Sequence, residues 1–329
     1  MEKITITGEN AFITDDKTNK VYLSNLIDTP SGALDISTRE RLKEKIIEFC
    51  TKHDFKYEFL SNTMDVWARD YMPIQLTKDV YLSYTYKPDY LEDHPKCVTN
   101  WQMHQVHGNG KFNFKFVHMP IILDGGNVVK AVLNGKPCFI MCDKVLQENN
   151  ISEKSFRDWW GKWWFDNFDG TEMGLVLLPW EGKKENPIGH ADGMVRYIRE
   201  NHVLMTNYLD FDKKFGEKMK SALVDAGFNI DNVTTLEYWD KFENDQQFKN
   251  LFHESWCYIN YLQLGNRILV PKLGYDPLND EAIRQITSAF GNKATVELID
   301  VDMTNIVKDM NSQQNSGGAL NCLSWTTKE

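Results

Sequence analysis

Five short polar motifs recur along this chain, and their spacing restricts the fold more than any other feature. They begin at Trp67, Asp124, His190, Trp256 and Gly318, separated by 57, 66, 66 and 62 residues. In the second unit the motif leads into strand 127–133, the two-residue hairpin signal Asn134-Gly135, strand 138–142, helices across 143–168 and strand Leu175–Leu178. The third repeats this as strands 194–198 and 203–208, helix 211–226 and a strand near 233–236. The fourth runs through strand Tyr258–Gln263, turn Gly265-Asn266, strand 267–270, helix 279–290 and strand 295–301. The first has strands at Val80–Tyr86 and Phe114–Val117 and an apolar run to Leu123, with no recognisable helix. The fifth unit ends after one strand, and the N-terminal segment supplies what it lacks. That segment has strands at 4–14 and 20–25, then helix 38–53 opened by the capping box Ser37-Thr38-Arg39-Glu40, then strand Lys56–Leu60. A period of this length marks an array of repeated units, and joining the two ends removes exposed sheet edges. The expectation is an α/β fold of five ββαβ-type units in a ring with pseudo-fivefold symmetry. The ring is one domain over residues 1–329, its two termini sharing a unit. The alternative is a mixed α/β domain of about two lobes.

Composition narrows the partners. A hydrophobic content of 42% suffices for a core, and a net charge of −10 argues against a nucleic-acid partner, which needs a basic face. The acidic balance suits a cationic small molecule, and it is also ordinary for a soluble protein. The opening Met1-Glu2-Lys3-Ile4-Thr5-Ile6 has no secretion-signal pattern, and no apolar run reaches membrane-spanning length. Six scattered cysteines then read as reduced thiols, which makes a cytoplasmic, membrane-free protein the expectation.

The motifs carry the chemistry. Gly317-Gly318 permits sharp turning and close approach, and it is followed by Asn321, Cys322 and a short apolar strand. That layout presents Cys322 as a nucleophile. His190 and Asp192, two residues apart at a strand start, would face one way, the histidine as proton carrier near neutral pH. In the ring, Asp70, Asp124 and Asp192 converge on Cys322. Three carboxylates together repel one another unless a positive group sits among them. A single cysteine does not make a typical structural zinc set, whereas a planar guanidinium pairs its five donors with carboxylates.

These residues carry a resemblance. Trp67-Ala68-Arg69-Asp70 with Pro73, Asp124-Gly125-Gly126, Gly189-His190-Ala191-Asp192, Tyr258-Ile259-Asn260 and Gly317-Gly318-Ala319-Leu320-Asn321-Cys322 resemble, in order, the motifs of the agmatine deiminase and bacterial peptidyl-arginine deiminase family. That family lies within the guanidino-group-modifying superfamily. The likeness implies a five-bladed α/β propeller, or pentein, and a hydrolase that converts a guanidinium to a ureido group plus ammonia. For agmatine the resemblance implies a place in polyamine biosynthesis. Cys322 would attack the guanidinium carbon to give a thiouronium intermediate, and His190 would move protons. Asp192, Asp70 and Asp124 would hold the cation, Trp67 would line the pocket and Asn260 would add a hydrogen bond. The substrate is a small cationic guanidine, agmatine first and free or peptidyl arginine next. No cofactor or metal is required, and an oligomer is compatible with the sequence. Two departures stand out. The family's usual Glu-Gly-Gly is Asp124-Gly125-Gly126, and Leu323-Ser324-Trp325 replaces a more polar tail.

Other readings are an amidinotransferase using the same nucleophile and a non-catalytic binding protein of the same ring fold, which would have no use for Cys322, His190 and Asp192. The spacing His94-x2-Cys97-x6-His104-x2-His107 matches no standard zinc site and reads as a surface loop. Trp159, Trp160, Trp163 and Trp164 share a face of a helix begun near Ser152, which reads as core packing before an aromatic lid.

Overall fold

Each recurring unit forms a three-stranded sheet of one and the same topology. The first strand is antiparallel to the second, and the second is parallel to the third. The computed structural model describes residues 3–6, 11–29, 36–92, 95–99, 114–180, 189–308 and 318–329. Within these, Ile74–Gln75, Val80–Thr85 and Lys115–Ile122 make one sheet, and Val129–Leu133, Lys136–Cys142 and Gly174–Leu178 the next. Val195–Arg199, His202–Met205 and Val233–Thr235 form the third, and Leu262–Leu264, Arg267–Lys272 and Thr295–Asp302 the fourth. In the fifth, Ser324–Thr327 from the C-terminus pairs antiparallel with Lys20–Ser24, which runs parallel to Lys56–Leu60. The two ends of the chain therefore share a sheet, as the spacing requires.

A helix crosses from second to third strand in four of the units: Glu153–Asn167, Lys213–Asp225, Asp276–Phe290 and Ile36–Lys52. Helical crossovers of this kind are what parallel neighbours demand. Within the described part of the first unit the crossover carries only short 3-10 turns, Asp89–Leu91 and Pro95–Cys97, which explains why no helical period could be read there. Helix Ile36–Lys52 starts before the expected capping box, so Ser37 lies inside its first turn. The early strand is shorter than the expected 4–14: Ile4–Thr5 pairs with Phe168–Asp169. The segment that follows is organised by side chains, with Arg196 ion-paired to Asp15 at 3.0 Å.

The tryptophan-rich helix packs inward. Trp160, Trp163 and Trp164 are buried against Phe139, Phe156 and Phe168, and the Trp160 indole donates to the Met173 carbonyl at 2.9 Å. This is core, not a lid. His94, His104, His107 and Gly317 lie outside the described residues. Among the described residues no cluster of His, Cys, Asp or Glu is arranged to hold a metal ion, and no helix is long and apolar enough to cross a membrane.

Candidate active site

Every unit begins with a single tight turn before its first strand, and these turns carry the expected site residues. They are the short helix Ala68–Tyr71, the 3-10 turns Gly125–Asn127 and Ala191–Gly193, the 3-10 stretch Phe252–Ile259 leading to Asn260, and the turn 320–323. His190 thus caps a turn and Asp192 lies within it, and neither is on a strand, which starts only at Val195. Likewise Tyr258–Asn260 ends a 3-10 stretch, although its β-formers read as strand.

A circuit of hydrogen bonds joins the five turns. Gly126 N–H donates to Asp70 Oδ1 at 3.1 Å, and Ala191 N–H to Asn127 Oδ1 at 3.2 Å. Asn260 Nδ2 donates to the Asp192 carbonyl at 3.4 Å, and Asn321 N–H to the Asn260 carbonyl at 3.0 Å. Arg69 N–H donates to the Cys322 carbonyl at 3.1 Å and completes the sequence. Asn260 Oδ1 also accepts the Ala319 and Cys322 N–H groups, each at 3.2 Å. The Asn260 side-chain amide thereby fixes the cysteine loop.

Cys322 Sγ lies 3.6 Å from Asp192 Oδ2, which also accepts Asn321 Nδ2 at 2.6 Å. His190 is held by both nitrogens, Nε2 on Asp124 Oδ2 at 2.9 Å and Nδ1 facing Asp70 Oδ1 at 3.5 Å. Gly126 lies where these groups meet. A Cβ built there would be 2.6 Å from Asp70 Oδ1, 2.8 Å from His190 Nδ1 and 3.5 Å from Asp192 Oδ1. Trp67 closes one wall. Its ring fits against Gly318, where an added Cβ would be 2.4 Å from the indole and 2.9 Å from Cys322 Cβ. Trp256, which the sequence marked only as the start of a unit, lies over Gly193 beside Asp192.

The electrostatics are asymmetric. Burial works against charge on His190, but Asp70 and the hydrogen-bonded Asp124 outweigh it and hold the imidazolium up to about 9. Burial pushes the Cys322 thiol well above its ordinary value, and the Asp192 and Asp70 charges push it further. Before a further cation joins His190 among the acids, sulfur is a thiol. Cys50, Cys138, Cys142 and Cys257 are likewise raised, by burial first. Three buried acceptors in this site, Asp124 Oδ1, Asp192 Oδ1 and Asn321 Oδ1, have no hydrogen-bond partner among the described residues. Each leaves a desolvation penalty of about 1–3 kcal/mol that a donor-bearing ligand would relieve.

The sequence model of the Porphyromonas-type peptidyl-arginine deiminases matches residues 35–327. The chain belongs to that family. No curated protein sequence matches the chain significantly. Among solved structures, the agmatine deiminase of C. jejuni superposes with a TM-score of 0.65 over 97% of this chain and 96% of its own, at 16% identity. The agmatine deiminase of Enterococcus faecalis gives 0.62 over 100% of both chains at 13% identity. The N-terminal domain of ArgZ, a cyanobacterial arginine dihydrolase, gives 0.56 over 94% and 97% at 10% identity. At such identities the likeness is one of fold, and the α/β fold of this family member is that of the deiminase structures.

Proposed function

We propose that this family member is a deiminase hydrolysing the guanidinium of agmatine or an arginine derivative to a ureido product and ammonia, through a covalent intermediate on Cys322. The five sheets close into a five-bladed α/β propeller, a single catalytic domain over residues 1–329 whose opening turns surround the site. The observation that carries the reading is the set of unpartnered buried acceptors on Asp124, Asp192 and Asn321 beside a thiol. A guanidinium is planar, positive, and has five donors and no acceptor. It fits what those oxygens lack.

Entry of the cation offsets the Asp192 and Asp70 fields that keep sulfur protonated. The thiol proton leaves through Asp192 Oδ2, and the thiolate attacks the guanidinium carbon. The His190 imidazolium donates its proton to the departing amine, so ammonia leaves and a thiouronium remains. Neutral His190 then takes a proton from water, whose oxygen attacks the same carbon and frees the ureido product and the thiolate. Asp70 and Asp124 hold the imidazole and face the cation; Trp67 walls the pocket. Asn260 acts by positioning the loop that carries Cys322. Ammonia release from a panel of agmatine, arginine and peptidyl arginine tests this. Release from at least one, lost in Cys322→Ala, supports it; no release from any by folded protein sinks it.

A further inference from the structure

Three indoles edge the turns that carry the site, and each lies where a turn glycine leaves the main chain bare. Trp67 on Gly318 is the first, beside Cys322. The other two bracket His190-Ala191-Asp192. A Cβ built on Gly189, whose φ is +67°, would be 3.0 Å from Trp180 Nε1 and 3.1 Å from its Cε2. One built on Gly193 would be 3.5 Å from Trp256 Cζ3 and 3.7 Å from its Cε3. Both indoles are held in place. The buried Lys144 packs its stem on Gly189 and carries its ammonium 5.7 Å from the centre of the Trp180 ring. The Trp180 backbone N–H donates to Asp143 Oδ1 at 2.8 Å. Trp256 follows Ser255, whose hydroxyl donates to the Phe252 carbonyl at 2.6 Å and accepts from the buried Asn207 amide at 2.8 Å. Trp67 is 7% exposed, whereas Trp180 and Trp256 are only half-buried. Indole surface is therefore left to solvent on both flanks of the turn that carries the proton carrier and the acid. The chemistry at the guanidinium carbon uses neither ring.

We propose that Trp180 and Trp256 take the apolar arm of the substrate, so that the site favours a guanidine carried on several methylenes over one on a short arm. The proposal rests on the deiminase reading and names residues that select its substrate. The guanidinium end alone satisfies the buried acceptors of Asp124, Asp192 and Asn321. An arm leaving that end beside Asp192 passes the ring on the next residue, Gly193, or the ring on Gly189 at the other flank. An indole offers a large, rigid apolar face and loses little conformational entropy when it is covered. Methylenes laid on such a face leave water and gain dispersion contacts.

The test is calorimetric binding of methyl-, ethyl-, propyl- and butylguanidine to the Cys322→Ala protein, which removes turnover. The probes differ only in the length of the arm. Affinity is expected to rise about fourfold per methylene, roughly 60-fold across the series. Trp180→Ala and Trp256→Ala, each added to Cys322→Ala, should cut that rise to about twofold per methylene, with methylguanidine changed by less than about twofold. Trp256→Phe, which keeps an aromatic face, should restore most of the rise. A flat series in Cys322→Ala overturns the proposal. So does an unchanged rise in either alanine variant, or an equal loss for methylguanidine and butylguanidine, the mark of a merely structural role. The deiminase reading fails separately: wild type that releases no ammonia, with the tryptophan-dependent rise intact, sinks that reading and leaves this one.

Discussion

Replacing Gly126 by alanine puts one methyl group at the meeting point of the candidate site. The new carbon would be 2.6 Å from Asp70 Oδ1 and 2.8 Å from His190 Nδ1, where ordinary contact begins at 3.4 Å. The overlap is therefore roughly 0.6–0.8 Å on two groups, and neither has an easy way out. Asp70 Oδ1 is tied to the N–H of the same residue that bears the methyl, and the imidazole is pinned by Asp124 on its other nitrogen. The acid and the ring must move by most of an ångström. A misplacement of about 1 Å at a reacting geometry costs about 10²-fold in rate, and overpacking of this sort costs about 1–3 kcal/mol of stability. Gly126→Ala should thus lose about two orders of magnitude in kcat/KM for ammonia release while still unfolding cooperatively at a modestly lower temperature. Steady-state kinetics and a thermal melt on the same preparation measure both. Activity within about threefold of wild type would refute the placement of Asp70 and His190 around this point.

Further predictions follow from the charges. His190 must be an imidazolium to protonate the leaving amine, so kcat/KM should fall as pH rises through about 9. A limb near the ordinary histidine value of ~6.5 would contradict the clamp by Asp70 and Asp124. Because the folded value is raised, the stability His190 contributes, about 3 kcal/mol, is full below pH ~6.5 and lost as pH climbs through about 9. Urea midpoints of wild type should drop between pH 7 and 10, and those of His190→Asn should drop less. Asp15 behaves in the opposite sense. Burial opposes its charge, but Arg196, Arg69 and Lys130 overcome that and hold its carboxyl below the usual range. Its contribution is present above pH ~4 and lost as pH falls through the lowered value. Asp15→Asn breaks the pair with the buried Arg196 and is expected to cost about 3 kcal/mol in denaturant titration with catalysis retained; a change under about 0.5 kcal/mol would sink that view.

Much of this was legible because each unit repeats one task. The spacing of Trp67, Asp124, His190, Trp256 and Gly318 located the five turns, and the strands after Asn134-Gly135 and Gly265-Asn266 fell where turn chemistry puts them. Cys322, Asp192, His190, Asp70 and Asp124 do come together. What escaped was decided by tertiary partners. Tyr258 and Ile259 favour strands by propensity, yet Asn260 must reach Ala319 and Cys322, and the backbone winds into a 3-10 stretch to deliver it. The expected alternation of His190 and Asp192 on a strand failed for a similar reason, since Ala191 N–H turns toward Asn127. Gly126 had a readable signal, a glycine pair beside an acid, that points to close approach without saying of what.

The central claim is that Cys322 itself attacks the guanidinium carbon. Acid quenching during turnover of agmatine, followed by mass spectrometry of the peptide containing Cys322, tests this most directly. The account predicts that part of this peptide carries the substrate less ammonia, and that none does in Cys322→Ala, which releases no ammonia. Ammonia accumulating while the Cys322 peptide stays unmodified at every quench time, or undiminished release by Cys322→Ala, would contradict it.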